Sequence, residues 1–250
     1  MELAARRIKL FRYQPIDQRL FDLLALKRIW FSSPKYLNDP FEGRLGQSLF
    51  RDMSVQHIGM EPSMANDNAR FLEGAHQDKN NDRYRLISFV EPSEQSNQHD
   101  PLFWALYADR HKGVRLSFSF EPINATEAAV PVGRLRRVKY QKKPHQYDGK
   151  VGDDILFFKA DYWSHENEWR WICPTSALRS EIFSERPKQA RDFYEWPDLV
   201  LEEIIFGWKC SKKDKAKICE SITGQDPSAA PRRFQADPDI SSYKMVNRPV

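Results

Sequence analysis

Residues 163–170 read WSHENEWR and contain the densest set of side chains suited to chemistry. Glu166, Glu168 and Arg170 stand at alternate positions. If the segment is a strand, these side chains lie about 7 Å apart on one face. Such a row can hold a ribose hydroxyl, an attacking group and a phosphate side by side. We therefore take Glu166, Glu168 and Arg170 as candidate catalytic residues, the alternative being a solvated strand face with a cross-paired salt bridge. The opposite face would carry Trp163, His165, Asn167, Trp169 and Trp171.

A second candidate is the loop Asn38-Asp39-Pro40-Phe41-Glu42. Proline restricts its backbone, and Asn or Asp side chains can bond to neighbouring amides as an Asx-type turn. Such a stiff loop would place Asp39 and Glu42 as hydrogen-bond acceptors or as metal ligands, while structural capping is the alternative. The His, Asp and Glu residues show no repeated metal-ligand spacing, so the sequence predicts no metal site.

A third candidate is the segment from Trp104 to Gly113, which has the pattern W-x-x-Y-x-D-x-x-K-G. Trp104, Tyr107 and Lys112 would supply an aromatic wall and a cation for a nucleotide-like ligand. Alternatively, the aromatic rings pack a helix and the polar residues end it. Both interpretations stay open at this stage.

The sequence lacks the motifs that mark several common enzyme mechanisms. The patterns GxSxG, GxGxxG, HExxH and the Walker A loop are absent, which disfavours standard hydrolase and P-loop mechanisms. His111 and His165 are read as structural or surface residues. The three cysteines include no CxxC pair, which argues against a disulfide framework or a zinc site.

Composition indicates one globular domain. The 250 residues are 40% hydrophobic and 30% charged, and a single core can serve a chain of this size. We expect a domain over 1–222 and an irregular tail over 223–250. Without an apolar stretch of about 20 residues or a signal-peptide pattern, we predict a cytoplasmic protein with no membrane partner.

The net charge of +4 is too small to demand a nucleic-acid partner. Two local basic clusters, over 134–143 and 209–217, leave phosphate or nucleic-acid contact open beside a solvated surface.

Periodicity predicts an α+β fold in which helices flank one or more mixed, mostly antiparallel sheets. Alternating or apolar runs predict strands over 8–13, 29–32, 85–90, 114–120, 137–140 and 199–206. Helical spacing predicts helices over 15–30, 101–111 and 212–222. Residues 43–85 have no sustained period, and we expect a helical or mobile insertion that acts as a lid. A late edge strand is an alternative near 243–246.

Read in order, Arg12-Tyr13, LNDPFE, the Ser88-Phe89 strand, FWALYADRHKGVRLSF, FFKADYWSHENEWR and LEEIIFG resemble the bacterial family called domain of unknown function 2971. The resemblance runs from Phe11 to about Gly207. In one departure, Leu86-Ile87 stand where family members often have a cysteine, which weakens any role for a thiol. The residues that match the family's motifs are Asn38, Asp39, Pro40, Glu42, Trp104, Tyr107, Lys112, Gly113, Lys159, Trp163, Glu166, Glu168 and Arg170.

The order of motifs also has a distant likeness to the ADP-ribosyltransferases, which implies NAD as cofactor. In that analogy Arg12 clamps the cofactor phosphate and Ser117 or Ser119 positions a ribose. Glu168 bonds a ribose 2′-hydroxyl and stabilises an oxocarbenium-like transition state, while Glu166 activates the acceptor. The full expected cofactor-binding set is Arg12, Tyr13, Asn38, Asp39, Glu42, Trp104, Tyr107, Lys112, Ser117, Ser119, Lys159 and Trp163.

Two other functions remain open. One is a non-enzymatic module, in a phage-defence or stress setting, that senses a nucleotide or a nucleic-acid end through the basic clusters. The other is a metal-dependent nuclease that needs Asp39, Glu42, Glu166 and Glu168 to converge.

Overall fold

The computed structural model describes residues 7–56, 58–144, 153–182, 190–222 and 230–250. Within these ranges the strands are β1 (Ile8–Gln14), β2 (Arg28–Phe31), β3 (Tyr84–Val90), β4 (Val114–Phe120), β5 (Pro122–Asn124), β6 (Glu127–Ala128), β7 (Arg134–Arg137), β8 (Lys139–Gln141), β9 (Phe158–Ala160), β10 (Glu168–Pro174), β11 (Arg179–Ile182), β12 (Ala190–Glu195), β13 (Val200–Phe206), β14 (Arg232–Asp239) and β15 (Lys244–Pro249). The α-helices are α1 (Gln18–Leu26), α2 (Gln47–Gln56), α3 (Pro62–Arg83), α4 (Glu94–Gln98), α5 (Asp100–Tyr107) and α6 (Lys212–Ser221). Short 3₁₀ turns span Pro34–Tyr36, Asp153–Phe157, Asp161–Glu166 and Thr175–Ala177.

The main sheet has the order β15-β14-β13-β4-β1-β3-β10-β7-β6-β5. Its strand pairs are antiparallel except for β13 with β14. A smaller sheet, β11-β12-β2, and a parallel pair, β8-β9, lie beside it. The predicted α+β fold with a mixed, mostly antiparallel sheet is confirmed.

The two faces of the main sheet are covered differently. One face carries the larger core, where Leu20 and Leu24 of α1 and Ile218 of α6 pack with Trp169 and Trp171. The other face has two smaller apolar clusters, one around α5 with Phe103 and Trp104, the other around Ile155–Phe157 and Leu45. Ionic side chains of β10 lie on this second face. Because β4 is covered on both sides, all seven of its residues are buried.

Local chemistry explains several boundaries. The Asp17 side chain accepts a hydrogen bond from the Arg19 amide and caps α1. The helix ends at Lys27, which adopts a left-handed conformation. Helix α5 ends at Tyr107, earlier than the predicted 111, because the chain reverses through Asp109 to His111, all at positive φ.

Two expectations need correction, and for residues 43–85 the helical alternative is the one observed. Residues 163–170 are not one strand, because 3₁₀ backbone runs to Glu166 and Asn167 takes φ 44° before β10 begins at Glu168. The alternation of faces therefore holds only from Glu168 onward, with Trp163 and His165 outside the strand. The 43–85 segment is helical, as α2 packs on α3. In place of the irregular tail expected over 223–250, β14 and β15 extend the main sheet, while 223–229 lie outside the described residues.

Across the described ranges, every helix is too short or too polar to cross a membrane.

Candidate functional site

The main sheet opens between its two central strands. β1 pairs with β4 over seven residues, and β3 pairs with β10 over seven, but β1 meets β3 only at Phe11 and Val90. Beyond that pair the strands separate. A cavity of about 330 Å³ occupies the opening, which we call the inter-strand cavity. This volume lies within the usual range of ligand sites, roughly 300–1,000 Å³.

Arg12 crosses this opening. One of its guanidinium nitrogens donates to the main-chain oxygen of Ser88 at 2.9 Å, and Nε donates to Gln14 Oε1 at 3.2 Å. The carbonyl of Ser88 lacks a β1 partner because the strands have separated, and a buried carbonyl needs a donor. Burial, and then the nearby Arg19, lower the pKa of Arg12 to about 10. Arg12 remains a cation at neutral pH and, within the described parts of the chain, makes no ion pair.

Lys159 is the centre of a buried ionic cluster at the other end of this cavity. Its Nζ lies 2.5 Å from Glu166 Oε2, 2.9 Å from Glu42 Oε1 and 3.3 Å from Glu168 Oε2. The four side chains are each at most 7% exposed. Three stretches of chain thus meet on one ammonium group: the loop with Glu42, strand β9 with Lys159, and the turn into β10 with both other carboxylates.

Arg170 completes the cluster from β10. Its NH2 group lies 2.8 Å from Glu168 Oε1 and 3.3 Å from Glu42 Oε1, and its NH1 group donates to the Leu156 carbonyl at 2.6 Å. The guanidinium is therefore held by two carboxylates and one carbonyl. Such multiple contacts fix the direction of a carboxylate as well as its charge.

Hydroxyl and aromatic groups surround the carboxylates. Tyr107 donates to Glu166 Oε1 at 2.5 Å and accepts from the Asn38 amide at 3.2 Å. Tyr140 accepts from the main-chain amide of Glu168 at 2.8 Å. The ring of Trp163 faces the Lys159 ammonium, with 4.7 Å between Nζ and the ring centroid.

The surroundings of the carboxylates shift their pKa values in different directions. Burial alone would raise the pKa of Glu168, but Arg170, Lys159 and a hydrogen bond from the Ser88 hydroxyl hold it at about 2. Burial raises the pKa of Glu42, whose second oxygen, Oε2, has no hydrogen-bond partner in the described structure. Although burial opposes it, the surrounding carboxylates raise the pKa of Lys159. Glu168 is thus a fixed anion and Glu42 the carboxyl that most readily keeps a proton.

Most of the predicted site residues meet at this place. The predicted site residues that line the inter-strand cavity are Arg12, Tyr13, Asn38, Tyr107, Lys159, Glu166, Glu168 and Arg170. Glu42 and Trp163 contact Lys159 but do not line the cavity themselves. Asp39 lies beside them and forms the expected turn, since its Oδ1 accepts from the Phe41 amide at 3.0 Å.

Ser117 and Ser119 do not lie in the cavity, and here the structure corrects the sequence interpretation. Ser117, Phe11, Val90 and Glu168 stand in one row across β4, β1, β3 and β10. Three strand spacings separate Ser117 from Glu168, about 14 Å. Ser117 instead donates to Glu203 Oε2 at 3.0 Å.

Trp104 and Lys112 also lie away from the cavity. Trp104 is fully buried and donates to Asp100 Oδ2 at 3.2 Å, so it packs α5 against the sheet. Lys112 is exposed in the turn before β4. Of this third motif, only Tyr107 reaches the ionic cluster.

Ser88 is the residue that sequence reasoning missed. It pairs with Arg170 across β3 and β10, it lines the inter-strand cavity, and its carbonyl accepts from Arg12. The signal available in the sequence was a lone serine in the apolar run RLISFV. Tyr140 was also missed, because nothing in a basic, strand-like segment indicates a contact with β10.

The cluster can hold a fixed negative charge beside a cavity while excluding water from it. A positive charge developing in the ligand near Glu168 would be stabilised, and an anionic group near Arg12 would be bound. Each of the three carboxylates already pairs with the Lys159 ammonium, and Glu42 and Glu168 also pair with the Arg170 guanidinium. In the described ranges, no three His, Cys, Asp or Glu residues form a group suited to a metal ion.

Comparisons with protein-family models, with curated proteins and with solved structures find no match for this chain.

Proposed function

We propose that this protein is a nucleotide-handling transferase of the ADP-ribosyltransferase type, with NAD as the donor bound in the inter-strand cavity. The observation that carries the proposal is that Arg12, Ser88 and Glu168 come from three adjacent strands and line one cavity, with Arg12 donating to the Ser88 carbonyl. The resemblance to the family of unknown function 2971 is part of the same proposal. Its role in a defence or stress setting stays a prediction.

Each end of the cavity fits one part of the donor. Arg12 is a cation without an ion pair in the described residues, and it would bind the pyrophosphate. Glu168, ionised because its pKa is about 2, would accept a hydrogen bond from the ribose next to nicotinamide. Its charge would stabilise the oxocarbenium-like transition state at C1′. Ser88 takes the place first expected for Ser117 or Ser119.

The proposed reaction balances as a substitution at C1′. The bond between C1′ and the nicotinamide nitrogen breaks, and its electron pair leaves with neutral nicotinamide. A nucleophilic atom of the acceptor forms the new bond to C1′, and its proton passes to Glu166. Tyr107 and Lys159 hold Glu166 in place through one oxygen each.

The same contacts make a metal-dependent nuclease the weaker candidate. Glu42, Glu166 and Glu168 do converge, as that function requires, but they converge on Lys159 and Arg170. A metal ion would have to displace or compete with two buried cations. Recruiting these oxygens would also leave each cation buried without its partners, which is costly.

The test is incubation with NAD labelled in its adenylate phosphate, together with a cell lysate. We measure nicotinamide release and label transfer for the wild type, Glu168→Gln and Glu203→Gln. Glu203 is the matched control, a carboxylate on the same sheet face that bonds Ser117 and Lys9 outside the cavity. Removing one electrostatic stabiliser typically costs about 10²-fold or more in rate, and we expect that loss only for Glu168→Gln.

Because Glu168 also supports the fold, Arg12→Met is measured beside it and both are checked by circular dichroism. Arg12→Met should raise the NAD concentration needed for half-maximal rate. No transferred label and no nicotinamide release, with wild type and Glu168→Gln indistinguishable, would falsify the proposed transferase activity.

A further inference from the structure

A second cavity of about 410 Å³ lies on the far side of the ionic cluster. It is bounded by the loop after Glu42, by α3 and by the β8-β9 pair. Among the described residues, Lys159 is the one that lines both cavities. The two spaces are therefore separated by the ionic cluster itself, and we call this one the loop cavity.

Cations collect at the rim of the loop cavity. Lys142 and Lys143 line it and are exposed, and neither forms an ion pair with a described residue. Arg44 also lines it, with NH1 3.5 Å from Glu73 Oε1, so that pair is roughly neutral. Within the described ranges, no carboxylate pairs with these two lysines, and they give the rim a net positive charge.

The arginines earlier in the same basic run behave differently. Arg134 lies 3.1 Å and Arg136 3.0 Å from Asp154 Oδ1, and Arg137 lies 2.6 Å from Glu91 Oε2. Their charges are used within the fold. Three lysines of this run form no ion pair with a described residue: Lys142 and Lys143 line the loop cavity, whereas Lys139 lies over the Phe158 ring.

Two exposed aromatic rings lie at the same cavity. Phe41 is 63% and Tyr162 58% exposed, although large rings are usually buried. Exposed rings beside unpaired lysines are the combination that binds single-stranded nucleic acid, because bases stack on the rings and phosphates contact the cations. A basic ligand surface would be repelled by these lysines, and a purely apolar one would leave their charges without partners.

We infer that the loop cavity binds single-stranded nucleic acid, at a place distinct from the site of the proposed transfer. A base stacks on Phe41 or Tyr162, and the adjoining phosphates contact Lys142 and Lys143. This binding does not depend on the proposed transferase function and is measurable without NAD.

The experiment measures fluorescence anisotropy of labelled ten-nucleotide single-stranded RNA and DNA at several salt concentrations. The cavity variant is Lys142→Glu/Lys143→Glu. The matched control is Lys212→Glu/Lys213→Glu, which makes the same charge change in two adjacent exposed lysines on α6. We expect at least a tenfold loss of affinity for the cavity variant and less than threefold for the control.

The salt dependence gives a second readout. Losing two phosphate contacts should reduce the slope of log affinity against log salt by about 1.4, since each contact to a single strand contributes about 0.7. A Phe41→Ala/Tyr162→Ala variant should lose affinity with the slope unchanged, because stacking releases few counterions.

Three results would overturn the inference: equal losses in the two lysine variants, no binding by the wild type at low salt, or displacement by AMP as effective as by unlabelled strand. The last result would assign the cavity to a free nucleotide. Nicotinamide release with water as acceptor should be unchanged in Lys142→Glu/Lys143→Glu. A failed strand-binding test is therefore distinguishable from failure of the transferase itself.

Discussion

Glu168 and Glu42 contact the same two cations, but neutralising Glu168 should destabilise the fold far more than neutralising Glu42. Glu168 has a folded-state pKa of about 2 against an ordinary value of 4.5. At about 1.4 kcal/mol for each pH unit, this difference amounts to about 3 kcal/mol of folding free energy at pH 7. Glu168→Gln removes the charge while keeping the shape, so we expect it to lower the free energy of unfolding by about that amount.

The direction of this pKa shift determines how the stability contribution of Glu168 changes with pH. Because the pKa of Glu168 is lower in the folded state than in the unfolded state, its ionised form stabilises the fold above pH 4.5. That contribution is lost as pH falls from 4.5 towards 2. Urea unfolding of wild type and Glu168→Gln should therefore show a gap of about 3 kcal/mol at pH 7 that narrows below pH 4.5.

Glu42 is the internal comparison. Burial raises its pKa, so ionising it opposes folding above pH 4.5, and its Oε2 has no hydrogen-bond partner among the described residues. Glu42→Gln keeps an acceptor for Lys159, and we expect unfolding at pH 8 to change by less than about 1 kcal/mol. Equal losses in Glu42→Gln and Glu168→Gln, or a gap independent of pH, would refute this electrostatic reasoning.

Three further predictions use the same chain. Lys159→Met should lower the free energy of unfolding by about 3–5 kcal/mol because it leaves buried carboxylates uncompensated. Adding Glu42→Gln should recover part of that loss. If urea unfolding shows that the free-energy changes of the two substitutions simply add, the shared contact is contradicted. Gly113→Ala should destabilise, since an added Cβ would lie 2.2 Å from the Gln14 carbonyl oxygen. The Cβ added by Gly74→Ala would have no atom within 4 Å, so this substitution should stabilise α3 by about 0.5–1 kcal/mol. Thermal melts in which Gly113→Ala and Gly74→Ala shift the melting temperature in the same direction would disprove this pair of predictions. Arg12→Met should weaken NAD binding in isothermal titration calorimetry at least tenfold, and unchanged affinity would remove Arg12 from the site. Because the Ser88 carbonyl loses its donor, the same change should also lower the free energy of unfolding by about 1–3 kcal/mol.

The strands with strong period-2 or apolar patterns could be predicted from the sequence, as Ile8–Gln14, Val114–Phe120 and Val200–Phe206 show. Their partners could not, since register depends on contacts distant in the chain. The opening between β1 and β3 is such a property: nothing local to either strand indicates that they meet at one residue pair. The edge strand considered as an alternative near 243–246 is present as β15, whereas β14 was missed because its burial is slight and its sequence is polar.

Most residues of the candidate site could be predicted from the sequence, but the contacts between them could not. Glu168 and Arg170 alternate as expected because β10 is a true strand. Glu166 precedes the strand, yet the left-handed turn at Asn167 still directs it towards Lys159. Choosing Ser117 over Ser88 was wrong for a physical reason: both are serines in apolar strands, and only the order of strands across the sheet distinguishes them.

The most direct test of the account is a crystal structure of Glu168→Gln with NAD bound. We predict the pyrophosphate beside Arg12, between β1 and β3, and the ribose next to nicotinamide within hydrogen-bond distance of residue 168 and Ser88. NAD bound beside Ser117 and Glu203, or an inter-strand cavity that remains empty at saturating NAD although the variant is folded, would contradict it.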